Sequence, residues 1–235
     1  MEILRAASIE TLTLDVVSDE SITGCVSQVT TLTGGTLDVL VNNAGAQYNM
    51  PISDLSIPEA KKIFDLNVWS CISTIQAFMP LLLKAKDGAL IVNHTSVGSI
   101  AGLPFQAAYN ASKAALAMFS DILRLELEGF NIRIVDLKTG GVKSNILANL
   151  THAELPKDSI YDRAREEAEK MLSGEKLKSL KGTYVDADVW AEGVVKDLTK
   201  PNPPHQIWRG GQAWLARLGT LLPVGLFDGQ LKKVI

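Results

Sequence analysis

The sequence predicts an α/β protein built on a parallel sheet. Two observations carry this: apolar runs of strand length alternate with longer helical patterns along the chain, and turn or cap residues stand at the joints between them. With 235 residues, 46% apolar content and 21% charged, the composition suits one folded unit, residues 1–235, with a sizeable core. Taken in order, residues 9–16 read as a strand, and Ser18 caps a helix that runs to about Leu32, where Gly34-Gly35 ends it. Residues 37–42 form the next strand. Residues 58–83 read as one long helix perturbed near Pro80, and 89–95 as a strand. A helix over 106–128, a strand over 132–137, a charged solvent-facing helix over 161–180, a helix over 187–198 and a last strand near 205–208 complete the alternation. An apolar tail begins at about residue 206 and carries Arg217, Lys232 and Lys233. No repeat, low-complexity tract or linker divides the chain.

Several function classes fall away early. A formal charge of -3 with basic residues scattered among acids offers no face for nucleic acid. Cys25 and Cys71, each among apolar neighbours, read as buried thiols and fit a reducing compartment, so the expected location is cytoplasmic. The first residues lack the basic-then-apolar layout of a signal peptide. His152 and His205 stand far apart beside no Cys or carboxylate pattern, so no metal is predicted, and His94 on its apolar strand reads as a satisfied core residue. The tail's apolar run is shorter than the eighteen or so residues of a spanning helix. It is free to lie on a membrane surface, cover an apolar substrate or pack in an interface.

The chemical signal is a three-point constellation. Tyr109 and Lys113 stand four apart in Ala-Tyr-Asn-Ala-Ser-Lys, thirteen residues and more after Ser96. On a helix, i and i+4 share a face. A phenol, with its ordinary pKa of about 10, exchanges a proton at neutral pH when a fixed cation lowers that value, and Lys113 is placed to do so. A serine hydroxyl at a strand end can hold the reacting oxygen. Gln47-Tyr48-Asn49-Met50-Pro51 and the stretch 146–158 follow strand carboxyl ends and are candidate substrate walls.

With Asn42-Asn43-Ala44-Gly45 directly after a strand and Asn67 in Leu-Asn-Val, the ordered set resembles the short-chain dehydrogenase/reductase family over nearly the whole chain. That resemblance implies a Rossmann-like doubly wound parallel sheet and an NADP(H)-dependent carbonyl reductase or alcohol dehydrogenase. Within it Tyr109 exchanges the proton, Lys113 lowers its pKa and binds the nicotinamide ribose, Ser96 orients the substrate oxygen and Asn67 helps hold a relay water. Asn42, Ala44 and Gly45 line the adenosine side, Asp15 and Val16 its adenine edge, and Val142 and Ser144 the turn after the sixth strand of the family, where Thr139 replaces a proline. Leu-Glu-Leu-Glu-Gly-Phe-Asn-Ile-Arg and Leu-Leu-Pro-Val-Gly-Leu-Phe-Asp are similar to a fungal branch of NADPH-dependent 1-acyldihydroxyacetone-phosphate reductases. This implies a lipid-like or secondary-metabolite ketone, a homodimer or homotetramer on the two long helices, and peripheral contact with the endoplasmic reticulum or lipid surfaces.

The sequence departs from the family in one respect. The Thr-Gly-x-x-x-Gly-x-Gly segment and the first two strands of the complete fold are not in it, so the expected fold is N-terminally truncated and NADP(H) binding is in question. Residues 9–16 take the place of the family's third strand. Either they slide in beside residues 37–42 or a partner chain pairs with that edge. A second chemistry stays open beside the redox one: a cofactor-independent isomerase, cyclase or dehydratase in which Tyr109, Ser96 and Lys113 polarise a carbonyl.

Overall fold

Four strands make one parallel sheet in the order β1 (Val39–Asn42), β2 (Ala89–Ser96), β3 (Ile132–Thr139), β4 (Gln206–Arg209). The computed structural model describes residues 4, 6–150, 154–178, 183–223, 225, 226 and 229. His152, the end of the expected 161–180 helix, Phe227, Lys232 and Lys233 lie outside the described residues. Helices connect the strands in sequence: α1 (Asp19–Thr33) before β1, α2 (Ile57–Phe64) and α3 (Ser70–Leu82) before β2, and α4 (Ala107–Glu126) before β3. Short α5 (Arg165–Leu172) and α6 (Glu175–Lys178) follow, then α7 (Ala187–Leu198) before β4 and α8 (Ala213–Gly219) after it.

The central strands read as continuous apolar runs because helices cover both faces. Ile91 and Ile134 join Cys25, Ile75, Phe78 and Leu82 on one face, while Leu90, Val92, Val135 and Leu137 meet Val194 and Ile207 on the other. Local signals fix the ends. Ser18 accepts a hydrogen bond from the Ser21 amide at the start of α1, and Gly34, at φ 71°, closes it in the left-handed conformation a side chain would resist.

Three expectations are corrected. Residues 9–15 are irregular and 16–17 form a turn, so the expected strand is absent and does not slide in beside β1. A strand needs a ladder, and here the backbone binds locally instead: the Asp15 amide donates to Ser21 Oγ (2.8 Å), and the Asp15 carboxylate accepts from the Val17 amide (3.1 Å). β1 is consequently an edge strand, with Val39 and Val41 47% and 49% exposed. The expected 58–83 helical stretch is continuous but is perturbed at a π turn, Asp65–Trp69, rather than at Pro80, which sits inside α3 near its C-terminal end. The charged 161–180 helix breaks at Gly174, φ 73°.

Beyond the sheet's carboxyl end two glycine pairs cross. Gly141 and Gly211 exchange backbone hydrogen bonds at 3.0 and 2.8 Å, and the Gly140 amide donates to the Arg209 carbonyl at 2.8 Å. A methyl on Gly140 would overlap the Gly211 carbonyl, and one on Gly141 or Gly211 the Thr183 carbonyl. This crossing fixes where α8 leaves the sheet.

Candidate active site

Ser96 ends β2, and its Oγ accepts the Gly98 amide at 3.0 Å, which shapes the turn Val97–Ser99. Tyr109 and Lys113 lie in the first two turns of α4 on its buried face. Tyr109 is 9% exposed, and its phenol interacts with Ser96, which draws its pKa down against burial. The Lys113 ammonium donates to the His94 carbonyl at 2.8 Å. The constellation therefore converges in space, with the ring directed inward.

Asn67 arrives by a different route. The π turn, in which one extra residue is accommodated per turn, rotates it fully into the core. Its Oδ1 accepts the Ala46 amide (2.9 Å), and its Nδ2 donates to the Ala46 carbonyl and to Ser112 Oγ (both 2.9 Å). The side chain is thus a clamp on the segment after β1. Gly45 lies between Asn67 and Lys113: a Cβ there would stand 3.1 Å from Asn67 Oδ1 and 3.3 Å from Lys113 Nζ, so the glycine lets the backbone pass close to the ammonium in a cradle a side chain would crowd.

The electrostatics follow from burial. Desolvation lowers Lys113 to about 8, opposed by Cys71 and Asp136. Burial raises the Tyr109 phenol above its ordinary value, and the Ser96 hydrogen bond offsets only part of this. The expected acidification of Tyr109 by Lys113 is not what sets the phenol in this arrangement, where the ammonium is held on the His94 carbonyl. His94 is lowered to about 3 by burial and then by Lys113. Its ring is fully engaged, Nδ1 with Asn43 Oδ1 at 2.8 Å, Nε2 with Thr139 Oγ1 at 2.7 Å, and stacked on Trp190 at 5.3 Å. It is a satisfied tie between the ends of β1, β2 and β3.

The residues expected to hold a cofactor divide into three places. Val16, Asn42 and Ala44 share a groove of about 250 Å³ along β1 with Leu14, Asn43, Ser70, Cys71, Thr74 and Phe78. Asp15 adjoins it, exposed. Gly45 belongs instead to the Asn67–Lys113 cradle. Val142 and Ser144 follow β3, where Val142 bridges Val185 and Ser144 caps the turn Asn145–Leu147. The two candidate substrate walls do meet. Tyr48, Met50 and Leu155 share one core cluster, Asn49 donates to the Leu172 carbonyl at 3.2 Å, and Gln47, Tyr48, Glu59, Lys62, Ile63 and Asn149 are among the residues that line an open cavity of about 300 Å³.

Sequence reasoning missed a buried support behind the site. Lys138 pairs with Asp136 at 2.6 Å, donates to Ser99 Oγ at 3.1 Å and lies 5.6 Å from the Trp208 ring centroid, while Thr95 donates to Asp136. Alternating charge at 136 and 138 in an apolar strand was the available signal. Ser112, three residues after Tyr109 on the same helix, and Asn110, whose buried Oδ1 faces Gly98, were also unread.

The comparisons agree with this geometry. The family model for short chain dehydrogenases matches residues 2–155. The chain is 47% identical over 237 residues to the short-chain dehydrogenase/reductase GME11361 of Pestalotiopsis microspora, covering 100% of this chain and 79% of that protein. It is 36% identical over 244 residues to the NADPH-dependent 1-acyldihydroxyacetone phosphate reductase of Schizosaccharomyces pombe, covering 100% and 81%. The solved short-chain dehydrogenase from Streptomyces avermitilis superposes with a TM-score of 0.79 at 24% identity, covering 99% of this chain and 82% of that one, a likeness of fold. Fold, matched segment and relatives converge: this chain belongs to the short-chain dehydrogenase family.

Proposed function

We propose that the chain is a carbonyl reductase in which Tyr109 donates the proton to a ketone oxygen held by Ser96, with NADP(H) as the hydride source. The carrying observation is that Tyr109 and Ser96 are both buried where α4 packs on the end of β2, with the Lys113 ammonium bonded to the His94 carbonyl two residues before Ser96. A phenol raised by burial holds its proton at neutral pH, so its transfer would be drawn by the negative charge that hydride addition places on the oxygen it faces. Ser96, oriented by the Gly98 amide, adds a second donor to that oxygen.

The residues fit a nicotinamide cofactor at both ends. Gly45 lets the backbone pass close to Lys113, whose ammonium would serve ribose hydroxyls, while Val16, Asn42 and Ala44 would line the groove that takes an adenine, with Asp15 adjoining. Val142 and Ser144, beyond β3, are proposed to flank the nicotinamide amide. The cofactor when bound supplies hydride; Tyr109 and Ser96 manage the proton and the oxygen, and Lys113 keeps positive charge beside them. The similarity to the reductase of Schizosaccharomyces pombe and to short-chain dehydrogenases of fungi supports NADP(H) and a lipid-like or secondary-metabolite ketone. One domain with a homo-oligomeric assembly in the cytoplasm remains part of this reading.

The test is turnover of long-chain and aromatic ketones by wild type and Tyr109→Phe, with and without NADPH. The proposal expects NADPH-dependent reduction that Tyr109→Phe lowers at least about a hundredfold. Turnover that needs Tyr109 but proceeds without nucleotide would establish the isomerase, cyclase or dehydratase reading in its place. Reduction should hold steady through neutral pH and decline above about 8, where Lys113 loses its charge.

A further inference from the structure

Four side chains close a ring around the position of Ser96. Thr95, the residue before it, donates to the Asp136 carboxylate, Asp136 pairs with the Lys138 ammonium at 2.6 Å, and Lys138 donates at 3.1 Å to the hydroxyl of Ser99, three residues beyond Ser96. The parallel register makes the ring possible. Thr95 lies opposite Lys138 and Asn93 opposite Asp136, so Thr95, Asp136 and Lys138 share one face of the sheet. All three are buried, and Trp208 on β4 stands 5.6 Å from the ammonium.

Stability does not account for the ring. Taking an ammonium and a carboxylate out of water costs about as much as their attraction returns, and an apolar pair of the same size would hold β2 to β3 as well. What the ion pair supplies is direction. The turn Val97–Ser99 hangs from the end of β2, and its Val97 carbonyl accepts the Ile100 and Ala101 amides at 3.1 and 3.0 Å, which ties the turn into one piece. Its Gly98 amide is the donor to Ser96 Oγ. On the α4 side the turn rests on Asn110, the residue after Tyr109, since a Cβ on Gly98 would stand 2.5 Å from Asn110 Oδ1. On the β3 side Lys138 holds it through Ser99.

We infer that Lys138 is a positioning residue for the reduction: anchored by Asp136 and Thr95, it fixes the turn through Ser99 and so sets where the Ser96 hydroxyl points relative to Tyr109. Its ammonium is engaged with protein groups and acts on the substrate oxygen through them. The inference rests on the reductase reading, in which Ser96 holds the ketone oxygen. A turn displaced by about 1 Å leaves the rest of the ketone bound as before and weakens the hydrogen bond that strengthens as the oxygen gains charge. The loss therefore falls on kcat and not on KM.

The experiment compares two ways of cutting the tie. Ser99→Ala removes it and leaves the ion pair in place, whereas Asp136→Leu/Lys138→Met removes both charges together, so that neither is stranded in the core, and Thr95 keeps the Leu137 carbonyl at 3.4 Å as an acceptor. Each should lower kcat for NADPH-dependent ketone reduction about tenfold with KM unchanged, and Ser99→Thr should restore it. The triple variant should fall no further than the pair, because all three changes act on one tie. Hydrogen exchange of the segment 97–101, which needs no turnover, should quicken at least about fivefold in Ser99→Ala while the melting temperature stays close to that of wild type. Ser99→Ala with the kcat of wild type, a loss confined to KM, or a triple variant in which the losses multiply overturns the proposal. Should the paired variant not fold, Ser99→Ala and its rescue by Ser99→Thr decide alone. If wild type reduces no ketone, the reductase reading fails and exchange decides the tie: faster exchange in Ser99→Ala upholds it, and equal exchange overturns it.

Discussion

At the residue scale the site sets stability against chemistry. Lys113 has its ordinary value of 10.5 lowered to about 8, so at neutral pH the native state carries a buried ammonium at a cost of about 3 kcal/mol relative to the unfolded chain. Below about 8 that cost is constant; between about 8 and 10.5 the native state sheds a proton the unfolded one keeps, and stability rises with pH. Lys113→Met should therefore abolish reduction yet melt higher than wild type at neutral pH, as scanning calorimetry would show. A lower melting temperature would mean that the His94 carbonyl bond outweighs desolvation. His94 gives a slope on the acid side. Its folded value of about 3 lies below the ordinary 6.5, so the unfolded chain binds a proton the native ring refuses, and stability is complete above about 6.5 and drains as pH falls toward 3. Urea unfolding at about pH 7 and about pH 5 should show this loss, at most about 1.4 kcal/mol per pH unit, and His94→Gln should flatten it.

At the element scale the π turn is the device that joins helix to site. Asn67→Ala would leave the Ala46 amide and carbonyl and Ser112 Oγ without their partner in the core, and should cost about 3 kcal/mol in denaturant unfolding with a matching fall in activity. Asn67→Asp, which keeps the acceptor to the Ala46 amide but loses both donated bonds, should lie between. The sequence made Asn67 legible as a motif residue but not as a clamp, because a π turn has no composition of its own and shows only once Ser112 and Ala46 are in place. Ser96, Tyr109 and Lys113 were legible for the opposite reason: their spacing alone puts them on one helix face and one strand end. Residues 9–16 misled. Ile-Glu-Thr-Leu-Thr-Leu-Asp-Val has the period of a strand, but pairing needs a neighbour that period cannot reveal, and Asp15 turned the backbone toward Ser21 instead. Gly174 ended the charged helix by adopting φ 73°, where sequence showed only a run of charge.

At the scale of the whole molecule, the open apolar surfaces include the edge of β1 and the outward face of α8. That edge exposes Val39 and Val41 beside the outer side of the sheet, so this chain should associate on concentration. Val41→Lys should reduce that association in light scattering without lowering the melting temperature by more than about 1 kcal/mol equivalent. The glycine crossing beyond the sheet has a consequence for anyone who would engineer this protein. Side chains at 140, 141 and 211 would each collide with main-chain oxygen rather than with another side chain, and main chain cannot repack one atom at a time. A saturation library over those three codons should return a single amino acid at each, while exposed Trp214 tolerates many. Diversity introduced there would retune what the tail touches and leave the chemistry intact.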